Sequence, residues 1–364
     1  MPSSALTDIQ LPAPVLKGRG AIGAADNRYE HLSRVALDDG WSQEEQPPPQ
    51  TEVSFDHSKS IIVQQTALDL PFSQSLNVYR GCEHGCAYCF ARPTHAYWGL
   101  APGLDFETKL IAKPDAPRLL AEALRRKSYK VAPLAIGTNT DPYQPIERGL
   151  GLTRQVLEVL RDFQHPVGIT TKAALITRDL DILAPMAAKN LVRVAISVTT
   201  LDRDLARLLE PRAPTPARRI EAIRQLSEAG VPVAVFASPM IPGLNDNELE
   251  AILEAAVQAG ARSASAILIR LPMEVAPLME AWLREHRPQR AERVLSLIRQ
   301  CREGQLYKAK PGERFRGTGP VAEMIGQRLR LARTRFGLSV PAWELDCTRF
   351  APPPAPGDQF TLFS

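Results

Sequence analysis

Three of the chain's five cysteines stand within eight positions, in Arg80–His95, RGCEHGCAYCFARPTH, spaced Cys82-x3-Cys86-x2-Cys89. Thiolates are soft ligands, and three on one short loop suit zinc or an iron–sulfur cluster. Gly81 and Gly85 let that loop curl tightly. A structural zinc site takes four ligands, commonly as two separated pairs. There is no second pair here, although His84 or His95 is available as a fourth ligand. A cubane cluster usually takes four cysteines. Held by only three, it keeps one iron open for a substrate or cofactor to chelate, as a reactive metal site does. The residues alone leave both metals open.

Such a loop needs elements to position it. Short β-branched runs alternate with stretches of helical period. Strands are predicted over 75–80, 131–137, 166–171, 191–198, 231–238 and 263–271, and helices over 116–127, 152–163, 178–189, 215–230, 246–260 and 292–301. In the fourth of these helices Ile220, Ile223 and Leu226 mark one face, and Gly230 is a natural stop. Six β-then-α units in series predict an α/β fold with a parallel sheet covered by helices. Periodicity does not separate an open partial barrel from a doubly wound sheet. In both, ligands collect at the C-terminal ends of the strands.

The bulk composition is that of a soluble globular protein: 44% hydrophobic and 23% charged residues over 364 positions, with a formal net charge of +4. That charge alone does not call for nucleic acid. No apolar run reaches the roughly 18 residues of a membrane span, and no secretory leader is visible. The odd cysteine count, with Cys301 and Cys347 remote, argues against a secreted disulfide framework. A cytoplasmic protein with no membrane partner is expected. Many of the 32 prolines lie near the ends, in EEQPPPQ and APPPAPGDQ. The expected organisation is an N-terminal extension over 1–65, ordered only in part, a core over 66–310, a basic segment over 311–350 and a flexible tail over 351–364.

The spacing Cx3Cx2C with Tyr88 before the third cysteine resembles the radical S-adenosylmethionine (SAM) superfamily. The wider NVYRGCEHGCAYCFARP, followed by TNTDPYQPIE, is similar to its spore photoproduct lyase-like branch. The resemblance implies a partial (β/α)6 barrel, similar to a TIM barrel but incomplete, carrying a [4Fe–4S] cluster on Cys82, Cys86 and Cys89. It implies SAM on the open iron, and an electron from the cluster that splits SAM into methionine and a 5′-deoxyadenosyl radical. It also implies an electron donor such as flavodoxin or ferredoxin. Iron–sulfur potentials span about −700 to +450 mV, whereas zinc has no redox chemistry.

On that reading the strand ends should cradle SAM. Thr138, Asn139, Thr140 and Asp141 follow the second strand and match the family position that contacts the methionine amine, an ammonium needing oxygen acceptors. Lys172, after the third strand, is expected to pair with the carboxylate. Ser197, Thr199 and Thr200 suit ribose hydroxyls. Met240 and Ile241 resemble the apolar shelf under adenine, and Tyr88 belongs to the same group of contacts.

Arg284 to Arg335 holds 14 Lys or Arg against 5 Asp or Glu. This basic, aromatic-bearing stretch suits phosphate backbones. A nucleic-acid substrate, with DNA repair of lyase type, is therefore the leading expectation. At the end of the tail Gln359, Phe360, Leu362 and Phe363 resemble a peptide that docks on the bacterial sliding clamp. GRGAIG (18–23) matches a dinucleotide fingerprint but lacks the preceding strand. The rival reading is a non-catalytic, zinc-stabilised nucleic-acid-binding module using the same cysteines.

Overall fold

The computed structural model describes residues 16, 18–22, 27–29, 49–338 and 344–354. The clamp-like residues Gln359, Phe360, Leu362 and Phe363 lie outside the described residues. Ten strands occur among the described residues: β1 (Glu52–Phe55), β2 (Val63–Gln64), β3 (Gln74–Leu76), β4 (Tyr79–Arg80), β5 (Lys109–Ala112), β6 (Leu134–Ile136), β7 (Val167–Thr171), β8 (Val192–Ser197), β9 (Val233–Met240) and β10 (Ser263–Leu268). Seven form one sheet in the order β10-β9-β8-β7-β6-β3-β2. All its pairings are parallel except the short β2–β3 edge.

From β3 to β10 the spatial order follows the chain without reversal. A doubly wound sheet starts in the middle and reverses at a switch point. The monotone order is that of an open arc of six β/α units, the expected partial barrel. Register explains how the arc buries itself. Ile136, Ile169, Val194 and Val233 lie in one row across β6 to β9. Their face packs under the flanking helices, with Leu157, Ile223 and Leu253 in the same core. Each fully buried Ile, Leu or Val contributes roughly 1.5–3 kcal/mol. The alternate positions are mixed: Ala135, Gly168, Thr170, Ala195 and Ala234 are small, whereas Arg193 partners Gly168 and Phe236 partners Ser197.

The strand predicted over 75–80 is two strands in two sheets. β3 lies in the arc, while β4 pairs with β5 in a small sheet of order β1-β5-β4. The break falls at Asn77, whose side chain accepts from the Asn139 N–H (3.2 Å) and donates to the Thr138 hydroxyl (3.4 Å). The helices Val275–His286 and Gly319–Arg335 were not expected from periodicity. The second packs on β10 and on the helix Leu249–Gln258.

The cysteine loop leaves β4 and is held from behind. Arg92, fully buried, donates from Nε (3.0 Å) and Nη2 (2.8 Å) to the Cys86 carbonyl, and from Nη1 to the carbonyls of Pro102 (3.2 Å) and Gly103 (2.8 Å). Its charge is met by Glu107 at 2.5 Å, also fully buried. Glu107 in turn accepts from the backbone N–H groups of Gly20 (3.1 Å) and Ala21 (2.8 Å). Residues 18–22 are therefore a strap over the loop. A Cβ on Gly20 would lie 1.7 Å from the Gly85 carbonyl oxygen, so close approach requires glycine there.

Two measurements check this account. Removing one partner of a buried pair strands the other charge, so Arg92→Ala should lower stability by about 3–5 kcal/mol in denaturant titrations. Arg92→Met combined with Glu107→Gln should recover part of that loss. Equal losses in the single and double variants would show that the stranded charge is not the cause. Elsewhere, buried His165 sits with Nδ1 2.9 Å from the Pro166 carbonyl, Nε2 2.7 Å from the Tyr129 hydroxyl, and its ring edge-on to Phe350. Burial lowers its pKa from 6.5 to about 4. The unfolded chain thus binds this proton first on acidification. The associated stability is complete above pH 6.5 and falls towards pH 4 by up to about 3 kcal/mol. His165→Gln should flatten that part of the pH–stability curve relative to the unaltered protein.

Candidate active site

The cysteine loop is bent by Gly81 (φ 72°) and Gly85 (φ 65°), both in the left-handed region. Cys82 and Cys86 are buried, Cys89 is half-buried, and none is in a disulfide. The Cys82 backbone N–H is tied to the Phe106 carbonyl (2.9 Å) and that of Ala87 to the Leu209 carbonyl (2.9 Å), so the loop is fastened to the short helix before β5 and to the end of the helix Arg203–Leu209.

Lys172 extends from the end of β7 into this loop. Its Nζ lies 3.4 Å from Cys86 Sγ, 3.2 Å from the Tyr88 hydroxyl and 3.1 Å from Glu210. Glu210, fully buried after the helix Arg203–Leu209, also contacts Arg219 and Tyr88 and accepts from the Thr199 hydroxyl (2.8 Å). Burial opposes the Glu210 charge, but Arg219 and Lys172 outweigh it and hold the carboxyl well below the usual carboxylate range. Burial likewise opposes the Lys172 charge, yet Cys86 and Glu210 hold it above the ordinary lysine value.

The thiols respond to the same field. Burial pushes Cys86 up to about 12 while Lys172 pulls it down. Burial, then the charges of Asp141, Cys86 and Cys89, keep Cys82 well above its ordinary value. Three thiols this close repel one another once ionised, and a cationic core relieves that repulsion, releasing protons as it binds. The donor set is all sulfur, uncrosslinked and largely out of solvent, which fits an iron–sulfur cluster.

The other anticipated residues fall at the strand ends. Thr138 and Asn139 are half-buried just after β6. Thr140 and Asp141 turn their side chains into the chain. Thr140 donates to the Tyr79 carbonyl (2.8 Å), and Asp141 accepts from the Thr171 hydroxyl (2.6 Å) and the Lys172 N–H (2.9 Å). Ser197 is half-buried at the end of β8, and its carbonyl accepts from Arg219 (3.3 Å). Thr199 donates to Glu210 and lies 3.1 Å from the Tyr88 hydroxyl. Met240 and Ile241 are fully buried at the end of β9. Lys172, Tyr88 and Thr199 therefore meet around Cys86, while Thr138, Asn139 and Ser197 stand along the rim.

Glu210, Arg219 and Asn245 were missed from sequence. Glu210 and Arg219 approach from a helix end and a following helix, and only the fold brings them together. Asn245 ties the turn after β9, donating to the carbonyls of Thr199 (2.7 Å) and Pro239 (3.0 Å) and accepting from the Ile241 N–H (2.7 Å). A polar residue in PGLND was the one available signal.

The two histidines offered as a fourth zinc ligand are both buried. His95 has Nε2 2.9 Å from the Lys109 carbonyl and stands edge-on to Phe106. His84 has Nδ1 3.5 Å from Asp141, and burial lowers its pKa to about 4 despite that carboxylate. Among the described residues no group of three or more His, Cys, Asp or Glu side chains is arranged to hold a single metal ion.

Comparison with known proteins follows the same line. Residues 76–256 match the family model of the Radical SAM superfamily. An uncharacterised protein of Mycobacterium tuberculosis is 36% identical over 235 residues, covering 64% of this chain and 69% of the relative. An uncharacterised protein of Methanocaldococcus jannaschii is 29% identical over 179 residues, covering 48% of this chain and 62% of that one. A solved spore photoproduct lyase mutant superposes with a TM-score of 0.55 at 13% identity, over 78% of this chain and 79% of that chain. Spore photoproduct lyase complexed with dinucleoside spore photoproduct does so at 0.51 and 12%, over 81% and 85%. At these identities the likeness is one of fold. The non-catalytic zinc-module reading is overturned, since the matched family is one of redox enzymes and zinc carries no redox chemistry. The chain belongs to the radical SAM superfamily and is a radical SAM enzyme, with a [4Fe–4S] cluster and SAM as its cofactors.

Proposed function

We propose that Cys82, Cys86 and Cys89 hold the cluster, that the strand ends hold SAM, and that the substrate is nucleic acid, in a repair reaction of lyase type. The observation that carries the cluster assignment is the uncrosslinked cysteine trio, two buried and one half-buried, with the Lys172 ammonium 3.4 Å from Cys86 Sγ. When bound, the cluster supplies the electron that cleaves SAM. The chain supplies the setting. Lys172 offsets negative charge on the Cys86 sulfur, and Glu210 fixes Lys172 in place. Thr138, Asn139 and Ser197 present oxygens along the rim, while Thr140 and Asp141 hold the loop behind them. Met240 and Ile241 keep water from the floor.

The nucleic-acid reading rests on the surface next to the third cysteine. Phe90, 40% exposed, follows Cys89 directly. The Arg270 guanidinium lies 4.2 Å over its ring and 5.0 Å over Phe315, and Arg314 lies 4.8 Å over Phe315. Alternating aromatic and guanidinium planes are what unstacked bases pack against. The basic excess of the C-terminal region contributes less than its count suggests. Arg302 is buried on the carbonyls of Ile269 and Glu313, Arg314 pairs with Asp69, and Arg328 pairs with Glu250.

Two experiments test these assignments. Each of Cys82→Ala, Cys86→Ala and Cys89→Ala should lose iron and 5′-deoxyadenosine formation after anaerobic reconstitution with reductant and SAM. Retention of both in all three variants refutes the cluster assignment. Phe90→Ala should weaken single-stranded oligonucleotide binding by about 1–3 kcal/mol at fixed salt. Unchanged affinity would remove the nucleic-acid reading from this surface.

A further inference from the structure

A cavity of about 630 Å³ lies beside the cysteine loop. Its wall comes from the turns after β6 and β7, the connection before the helix Pro216–Glu228, and that helix itself; no strand residue lines it. Cys86, Tyr88, Lys172 and Glu210 do not line it either. It touches the loop through His84, buried between Cys82 and Cys86. Four arginines border it, Arg148, Arg178, Arg212 and Arg218, against one acid, Glu221. Arg178 and Arg212 are held by Glu147 and Glu83, and Glu221 pairs with Arg224. Arg148 and Arg218 are exposed and form no ion pair among the described residues.

We infer that this arginine-bordered cavity is the docking face for the electron donor, a small acidic one-electron flavoprotein; the inference rests on the cluster assignment above. Hydrogen abstraction requires a substrate in contact with the reacting centre. An electron crosses a few residues of protein without contact. A face that reaches the loop only through a buried imidazole, with Cys86, Tyr88, Lys172 and Glu210 absent from its lining, can therefore deliver electrons, and it keeps a substrate out of contact with the reacting centre. Its positive rim attracts and orients an acidic partner. One electron leaves the anionic flavin hydroquinone, which becomes the neutral semiquinone, and enters the cluster; no proton moves. A nucleic-acid strand would satisfy the same charges, but its bases would be held away from Cys86 and Lys172, which do not line the cavity.

The test titrates purified flavodoxin against the reconstituted protein at low and high salt. Arg148→Glu combined with Arg218→Glu should weaken flavodoxin binding by about tenfold or more at low salt and little at high salt. Arg148→Gln with Arg218→Gln should give an intermediate loss. Flavodoxin-driven 5′-deoxyadenosine formation should fall with the affinity, while dithionite-driven formation stays unchanged. Unaltered flavodoxin affinity overturns the inference. So does a loss of oligonucleotide affinity with flavodoxin affinity intact, which would make the face a nucleic-acid surface. If the unaltered protein makes no 5′-deoxyadenosine even with dithionite, the cluster assignment fails instead, and the binding titration judges the docking face separately.

Discussion

The arrangement depends on keeping a short three-cysteine loop curled before anything binds it. Arg92 does this from inside the protein, with two nitrogens on the Cys86 carbonyl and Glu107 as its counter-charge. Removing two charges from water costs several kcal/mol per ion, and a hydrophobic pair of similar volume is often as stable. The gain lies in geometry. A planar guanidinium with five donors can bind three carbonyls and a carboxylate at once, which no apolar side chain and no lysine can do. The strap completes the device, because the Gly20 and Ala21 N–H groups use the remaining acceptor capacity of Glu107.

A second buried charge system stands on the other side of the loop. Glu210 joins Lys172, Arg219, Tyr88 and Thr199, which come from four different parts of the chain. Two cations around one carboxylate make it ionise easily despite its burial. In return the carboxylate positions the ammonium beside Cys86. Lys172 was anticipated as a partner for a carboxylate of SAM; in the chain itself its ammonium already meets the Glu210 carboxylate.

Much of this was legible because it is local. The six strands of the arc announce themselves through β-branched runs, and the cysteine spacing lies on one loop. What could not be read depended on contacts distant in sequence. The 75–80 segment looks continuous, yet Asn77 splits it by bonding to residues 138 and 139. β1 and β5 are short and join a sheet outside the arc, so neither carries an α/β rhythm. GRGAIG matched a nucleotide fingerprint, but Gly20 is needed because a Cβ there would lie 1.7 Å from the Gly85 carbonyl oxygen, a constraint only the folded neighbour creates. Glu210 gave no signal of its own, since an acid before Pro211 ends a helix in many contexts. The basic C-terminal count overstated its free charge, because Arg302, Arg314 and Arg328 serve as internal ties.

The same loop therefore has two unlike surroundings. On one side it meets the compensated charge cluster of Lys172, Glu210 and Arg219, near Met240 and Ile241 buried at the end of β9. At His84 it meets a cavity edged with guanidinium groups, two of them without an ion-pair partner among the described residues. A reactive intermediate must be kept from solvent and from unintended partners, whereas a reductant must reach the cluster from solvent. An arc with one covered and one approachable side meets both requirements. The cysteine loop, as the wall between them, needs the rigid backing that Arg92 and Glu107 provide.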